Sequence, residues 1–438
     1  MAKKMLFLFV LLLSLTGMLK AQVTTAGMSG KVMADEESVI GATVVAVHEP
    51  SGTSYGTVTN VDGRFSLQGM RSGGPYKVTV SYIGYQTAIY TGIQLQLGET
   101  YSLNVTLHEA SELLGEITIT ASKSKFSAEK TGATTNISSE QLTTLPSINR
   151  NISDFTRISP YASGNSFGGR DGRSNTFTVD GANLNNNFGL SSGLPGGGNP
   201  ISLDAIDEVQ VVIAPYDVRQ ANFIGAGINA ITKSGTNAYR GSAYMYFNNE
   251  VMRGNKIGDT DFGARAEESK TVYGATFGGP IIKDKLFFFA NVEYEKSPQQ
   301  VITWRAAKEG ETPNNSTISR TTEADLAEFS QILKGKYGYN TGSFTDFPAD
   351  VTNLKLLGRI DWNINQGNKL SVRYNFTNNK TWEAPNGSSG NTGYRLAYNR
   401  VSAYSMSYAN SCYSLQNIVN SATAELNSRF SSYISNQL

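Results

Sequence analysis

The chain has 438 residues, enough for two or three domains, and its 37 Lys and Arg against 36 Asp and Glu leave a net charge of +1. A balance this close supplies no global field to recruit nucleic acid. Cys412 is the one cysteine and His48 and His108 are the only histidines, so a disulfide framework and a cysteine metal cluster are both excluded, and no cofactor is expected.

In chain order, Lys3 and Lys4 precede an apolar run from Met5 to Leu15, and Leu19-Lys20-Ala21 ends in a small residue. That is the layout of an export signal over residues 1–21, because the run is shorter than the roughly 20 residues that span a bilayer. Residues 24–108 then alternate short β-rich runs with turns: Ser29–Val32, Ala42–Val47, Thr57–Thr59, Arg64–Leu67, Tyr76–Val80 and Tyr101–Val105. About six strands suffice for a small sandwich. Asn60-Val61-Asp62-Gly63 mimics part of a calcium loop, but Val58 stands at the first ligand position and Gly69 at the twelfth, so no EF-hand is expected. Residues 112–122 include the extended run Glu116-Ile117-Thr118-Ile119-Thr120-Ala121, and residues 123–236 mix Gly-rich turns with apolar strands.

From Tyr239 onward the spacing becomes strict. Leu354, Leu356, Ile360, Trp362 and Ile364 alternate with Lys355, Arg359, Asp361 and Asn363; after the turn Gln366-Gly367-Asn368, Leu370, Val372, Tyr374 and Phe376 alternate with Ser371, Arg373, Asn375 and Thr377. Tyr239–Asn249, Thr271–Pro280, Leu286–Glu295 and Gln416–Phe430 read the same way. The connections are long at 250–270, 296–352 and 378–415 and short at Ile281–Lys285 and Asn365–Asn368. Long loops at one end and tight turns at the other define a transmembrane antiparallel β-barrel whose even-numbered faces meet lipid. On this pattern Val372→Arg is expected to damage the barrel, and Arg373→Val, on the inner face, to cost far less. In the longest loop Thr322 predicts a helix cap, with Asp325 at the third position after it and Leu326, Phe329, Ile332 and Leu333 on one face; internal packing of the loop is the expected role.

Catalytic strings are absent in substance. Gly52-Thr53-Ser54-Tyr55-Gly56 and Gly164-Asn165-Ser166-Phe167-Gly168 match the nucleophile-elbow spelling, but Ser166 has no histidine after it and Ser54 sits in a sandwich with no room for a hydrolase sheet. Gly225–Ala230 imitates a dinucleotide fingerprint without the βαβ unit it needs. No catalytic residue is assigned, and an enzyme is not expected.

Several motifs carry a resemblance. Thr59–Leu67, followed by Tyr82-Ile83-Gly84-Tyr85, resembles the carboxypeptidase regulatory-like domain, which implies a transthyretin-like β-sandwich. Glu116 to Ala121 is similar to a TonB box, the segment through which an energy-transducing complex grips a receptor, and strand addition to an extended, proline-free backbone is the mode this implies. Gly168–Gly181, with its Arg170-Asp171-Gly172-Arg173 turn and terminal Asp180-Gly181, resembles an α+β receptor plug, as do Ile206–Val212 and Gly225–Gly235. Signal, sandwich, box, plug and barrel together resemble a TonB-dependent outer-membrane receptor. Residues 222–229 and Thr232–Asn237 resemble its Oar-like type, whereas the Tyr-Gly-Ser-Arg plug ending of the starch-utilisation type is missing.

The resemblance implies a mainly β protein: a periplasmic sandwich, a plug, and over residues 237–438 the first strands of a barrel that in this class has about 22. With about six strands legible, the sequence is expected to be an N-terminal part of a receptor. Implied partners are the TonB complex, the lipid bilayer and an unidentified extracellular ligand, met at plug apices around Arg170, Asp171, Arg173, Asn185, Asn186, Asn187 and Phe188. The competing function is a carbohydrate-binding or adhesive surface protein, with Tyr55, Tyr76, Tyr82, Tyr85 and Tyr90 of the sandwich stacking on sugars.

Overall fold

A computed structural model describes residues 23–34, 36–109, 117–120, 133–147, 150–185, 199–215, 220–221, 223–261, 268–298, 301–314, 317–385, 388–389, 395–396, 401–431 and 434–437. The expected signal segment lies outside them.

Strands β1 (Ala26–Ala34), β2 (Glu37–Ser38), β3 (Thr43–His48), β4 (Thr53–Val58), β5 (Arg64–Met70), β6 (Gly73–Ser81), β7 (Ala88–Leu95), β8 (Thr100–Ser102) and β9 (Val105–Leu107) build the sandwich. One sheet runs β2-β1-β5 with β8 and β9 parallel to β1, and the other contains β7-β6-β3-β4. Alternate side chains point between them: Met28, Val32, Val44, Ala46, Phe65, Leu67, Tyr76, Val78 and Val80 form one buried core. Asn60 to Gly63 is a tight connection rather than a metal loop. The Asn60 side-chain oxygen accepts the N–H groups of Asp62 (3.0 Å) and Arg64 (2.8 Å), and Gly63 has φ +69°, with the Val32 carbonyl 2.7 Å from where a Cβ would stand.

Two strands depart from expectation. The strand placed at Thr57–Thr59 begins earlier, at Thr53. That at Tyr101–Val105 is split in two, because Leu103 N–H bonds to the Ser29 carbonyl and Asn104 turns its side chain to Lys31 N–H. The sequence hid β7 altogether: its pairing with β6 shifts register, and Gly92 takes φ +76°, so the period of two is broken where it would have been read. Tyr55, Tyr76 and Tyr90 are buried in this core, which removes three of the five proposed sugar-stacking rings from the surface.

The central unit is a second α+β body. Its sheet has the order β11-β14-β15-β12-β13, made from β11 (Ala133–Ser138), β12 (Thr176–Val179), β13 (Ala182–Asn183), β14 (Ile206–Ala214) and β15 (Gly227–Thr232). Helices α1 (Ser139–Thr144) and α2 (Ile152–Thr156) each start at a capping box, on Ser138 and Asn151. Neither Gly-x-Ser-x-Gly string forms a strand-to-helix elbow: Ser54 lies within β4, and Ser166 lies in a short strand pair.

The third body is a sheet of consecutive antiparallel neighbours, β16 (Arg240–Asn249), β17 (Ser269–Ile282), β18 (Leu286–Lys296), β19 (Thr352–Asn363), β20 (Asn368–Glu383), β21 (Tyr413–Arg429) and β22 (Ser435–Gln437). The six alternating segments are all strands. β22 continues the meander after a turn, and β20 and β21 extend at the long-loop end beyond the alternation that announced them. Burial is inverted relative to a water-soluble sheet. Val372, Tyr374, Ile360, Trp362 and Val292 are exposed, whereas Lys355, Arg359, Arg373, Glu293 and Glu425 are buried. What covers the charged face is the central unit, whose Phe177, Val209 and Ile228 share an apolar cluster with Phe289 and Leu357 of the sheet.

At the long-loop end α3 (Glu323–Tyr337) begins at Thr322, whose hydroxyl accepts Asp325 N–H (3.1 Å) while the Asp325 carboxylate accepts Thr322 N–H (3.2 Å). Leu326 is its one buried residue. Tyr408 donates to the Leu326 carbonyl (2.7 Å) and stacks on Phe329, so the helix packs against the loop before β21, where packing within its own loop was expected.

Candidate functional site at the interface of the central unit and the strands

The charged inner face of the strands is organised around the turn that ends β12. Asp180 and Gly181 have φ of +48° and +82° between Val179 and Ala182, the geometry of a two-residue type I′ hairpin. The turn directs Asp180 to the last residue of β15, where its carboxylate accepts the N–H (3.0 Å) and hydroxyl (2.6 Å) of Thr232. The Arg359 and Arg373 guanidinium groups each come within 3.7 Å of the same carboxylate. Arg359 also donates to Asp361 (2.8 Å) and the Thr232 carbonyl (2.6 Å), and Arg373 to Glu425 (2.9 Å). From the sandwich, Arg71 stands 3.8 Å from Asp361 and 3.5 Å from the Gly235 carbonyl. Three guanidinium groups therefore face three carboxylates, and the six groups together come from all three bodies. Asp180, Arg359 and Arg373 are buried, Arg71 and Asp361 partly so, and opposite charges and polar donors surround them.

A second anchor lies further along the same wall. Glu293 accepts from Lys355 (2.8 Å), Tyr244 (2.9 Å) and Ser202 (2.8 Å), the last a residue of the central unit. The Lys355 and Glu293 side chains are 1% and 3% exposed. With donors on three sides, the Glu293 carboxylate has its hydrogen bonds satisfied by protein groups.

A third contact joins sandwich and central unit. The N–H of Leu97, two residues beyond β7, lies 3.1 Å from both carboxylate oxygens of Glu208 on β14. Gln210 donates to the Leu97 carbonyl, as does Asn136 (3.3 Å), and Leu97 packs with Val23 and Ile231. Burial pushes the Glu208 carboxyl up to about 8, against the pull of the Leu97 hydrogen bond. The sandwich also touches the short turns: Thr53 accepts from Asn363 (3.0 Å), the Pro50 carbonyl from Asn237 N–H (2.8 Å), and the Gly56 carbonyl from Arg429. His48, the last residue of β3, is bonded to Ser51 (2.7 Å), and burial lowers its pKa to about 3, so it is neutral.

The apex residues fall apart as a group. Asp171 and Arg173 form an exposed pair at 3.0 Å, and Asp171 also takes Arg173 N–H (2.8 Å); these bonds hold its carboxyl below the ordinary range. Arg170 is exposed beside them. Asn185 is turned inward: its oxygen accepts Phe177 N–H (2.6 Å) and its nitrogen donates to the Asn175 carbonyl (3.3 Å). Its amide is spent on fastening the chain to β12. Asn186, Asn187 and Phe188 lie outside the described residues. So do Glu116 and Ala121, whereas Ile117–Thr120 form strand β10, which pairs in parallel with β7. Among the described residues no group of three His, Cys, Asp or Glu is placed to hold a metal ion.

Sequence reading put Arg359, Asp361 and Arg373 on the inner face but did not connect them to Asp180, and it missed Glu208 and Leu97. Alternation tells which side a residue faces. A contact across 193 positions, such as Asp180 to Arg373, leaves no local trace.

Residues 27–108 match the carboxypeptidase regulatory-like domain and residues 231–437 an outer membrane β-barrel domain. The TonB-dependent transporter Oar of Myxococcus xanthus is 24% identical over 344 residues, which is 74% of this chain and 30% of that protein. Among solved structures, the siderophore receptor PirA of Pseudomonas aeruginosa is 14% identical over 70% of this chain and 40% of its own, with a TM-score of 0.42. A ferric enterobactin receptor from the same organism, in complex with enterobactin, is 14% identical over 71% and 40%, with a TM-score of 0.43. The chain is thus an outer-membrane protein with a regulatory-like sandwich ahead of transmembrane β-strands. It is a homologue of the TonB-dependent transporter Oar and spans under a third of that relative's length.

Proposed function

We propose that the protein is a TonB-dependent transporter that moves an extracellular ligand through a plugged barrel, with work drawn from the proton gradient of the inner membrane. The observation that carries this reading is the ring of buried ions around Asp180. A unit of more than ornamental mass fills the inner face of the strands, and it is fastened there by charges that water could replace. Opening such an interface returns its ions to water, which offsets part of the attraction that is lost. The outer membrane sustains no potential of its own, whereas the inner one supplies about 2.3 kcal/mol per charge moved through 100 mV. Residues Glu116 to Ala121 are assigned as the segment gripped from the periplasm, and β11, the next described strand, is an edge of the plug sheet, where a pull from that segment arrives first. The exposed Arg170, Asp171 and Arg173 are assigned to the ligand side.

The test begins with mass spectrometry of small molecules and peptides that co-purify with the full-length receptor. With that ligand in hand, Ile117→Pro removes a backbone donor from the gripped strand. It is expected to abolish energised uptake and to leave surface binding intact. Normal uptake by this variant would remove the assignment.

A further inference from the structure

The sandwich holds both of the other bodies at once. In its sheet β7-β6-β3-β4 the edge strand is β4, and residues 50–56, which lead into that strand and form most of it, meet the short-turn ends of the transmembrane strands in succession. The Pro50 carbonyl accepts Asn237 N–H ahead of β16 (2.8 Å), and the Thr53 hydroxyl accepts from Asn363 at the end of β19 (3.0 Å). The Lys369 ammonium, near the start of β20, stands 4.1 Å from the centre of the Tyr55 ring, and the Gly56 carbonyl accepts from Arg429 at the end of β21. From the far side of the same sheet, the chain leaving β7 at Leu95 gives Leu97 to the central unit, where its N–H stands 3.1 Å from both Glu208 oxygens. Strands and central unit are thus joined through one packed body with a core of its own.

Arg71 closes the joint. It lies between β5 and β6, where its N–H donates to the Tyr55 hydroxyl (3.2 Å) and its carbonyl accepts from the Tyr76 hydroxyl (2.7 Å). Two core tyrosines therefore spend their hydroxyls on the backbone of residue 71 and fix where its side chain starts. From there the guanidinium reaches Asp361 on the strands (3.8 Å) and the Gly235 carbonyl, on the link from the central unit to β16 (3.5 Å).

We propose that the sandwich is a clasp that keeps the lumen shut: while β4 and Arg71 hold the short-turn ends and Leu97 holds Glu208, the central unit cannot shift along the strands, and opening begins with release of one of those grips. This rests on the transport reading above and gives the sandwich a part in gating. With one grip intact, the other re-forms within a single molecule at high effective concentration, so the clasp favours closure at rest.

Closure is read without a ligand. The probe is potassium chloride: the full-length receptor is placed in planar lipid bilayers, and ion current is followed as urea is raised, while circular dichroism reports on the strands. Gly69→Cys with Asn427→Cys locks the sandwich to β21, because a Cβ at Gly69 would stand 3.7 Å from the Asn427 Cβ, within the span of a disulfide. Gly69 has φ +66°, a strain that both redox forms of the variant share, so the oxidised form is compared with the reduced form of the same protein. Oxidation is expected to lower the current at a given urea concentration by about tenfold, and a reductant to restore it. Arg71→Ala loosens the clasp. The tyrosine bonds use the backbone of residue 71 and survive the substitution, and Asp361 keeps Arg359 (2.8 Å) and Ser371 (2.6 Å), so sandwich and strands are expected to fold unchanged. Its current at the same urea concentration is expected to rise by about fivefold. Equal current in the two redox forms, or no rise in Arg71→Ala, would overturn the proposal. If no current appears at any urea concentration that leaves the strands folded, the plugged-barrel reading falls and the clasp with it; current with one common onset in every form removes the clasp alone.

Discussion

The sandwich and the transmembrane sheet are written with the same period of two and obey opposite rules. In β5, Phe65 and Leu67 point into a dry core and Arg64 and Ser66 into water. In β19 and β20, Ile360, Val372 and Tyr374 are exposed, while Lys355, Arg359 and Arg373 are buried. Burial follows the apolar face in one body and the charged face in the other. The difference teaches that alternation encodes two environments but does not label them. In the sandwich the second environment is another sheet, whereas behind the strands it is a folded unit that brings its own counter-charges.

The strongest test of that contrast is Lys355→Ala. It leaves the Glu293 carboxylate, 3% exposed, without its ammonium partner, and loss of one member of a buried pair costs about 3–5 kcal/mol. Urea titration of the receptor in lipid vesicles is expected to show a loss of that order. A change under about 1 kcal/mol would mean that the inner wall is wetter than the packing indicates.

The next test compares neighbours on opposite faces. Val372→Arg puts a charge against lipid and is expected to cost about 2–4 kcal/mol near mid-depth. From alternation alone, Arg373→Val should be mild. The structure reverses that expectation, because Arg373 is the 2.9 Å partner of Glu425 and stands 3.7 Å from Asp180; its removal is expected to cost about 3 kcal/mol. If the same titration finds Arg373→Val harmless, the ring around Asp180 does not fasten the plug.

The smallest effect belongs to the boundary between the two kinds of sheet. Burial raises Glu208 to about 8, so the folded chain retains a proton that the unfolded chain releases at its ordinary, lower value. The stabilisation is complete below that ordinary value and is lost as pH rises through about 8. Between pH 5 and pH 8 the melting temperature of the unaltered chain is expected to fall relative to Glu208→Gln, by roughly 2–4 °C per 1 kcal/mol. Parallel melting curves for the two proteins over that window would show that Glu208 is solvated and the contact with Leu97 open.

How much was legible follows from the range of each signal. The six alternating segments of the transmembrane sheet, the parity of their loops and the Thr322 cap are local patterns, and the chain spells them out within a few residues of where they act. The sandwich was readable except at β7, where Gly92 and a register shift interrupt the period. The inner-face charges could be sorted to a side but not paired, since Asp180 meets Arg359 and Arg373 only through the packing of the central unit on the strands. Glu208 looked like one more acid in a mixed strand, and Ile117–Thr120 like a free linker strand. Their partners, Leu97 and β7, are brought by the packing of separately folded bodies. The sequence by itself determined which backbone becomes strand and which side chains share a face, because those depend on a period of two. Tertiary structure alone decided which buried charges neutralise one another and which strand lies beside Ile117–Thr120, because both depend on surfaces that meet only when the parts of the chain are assembled.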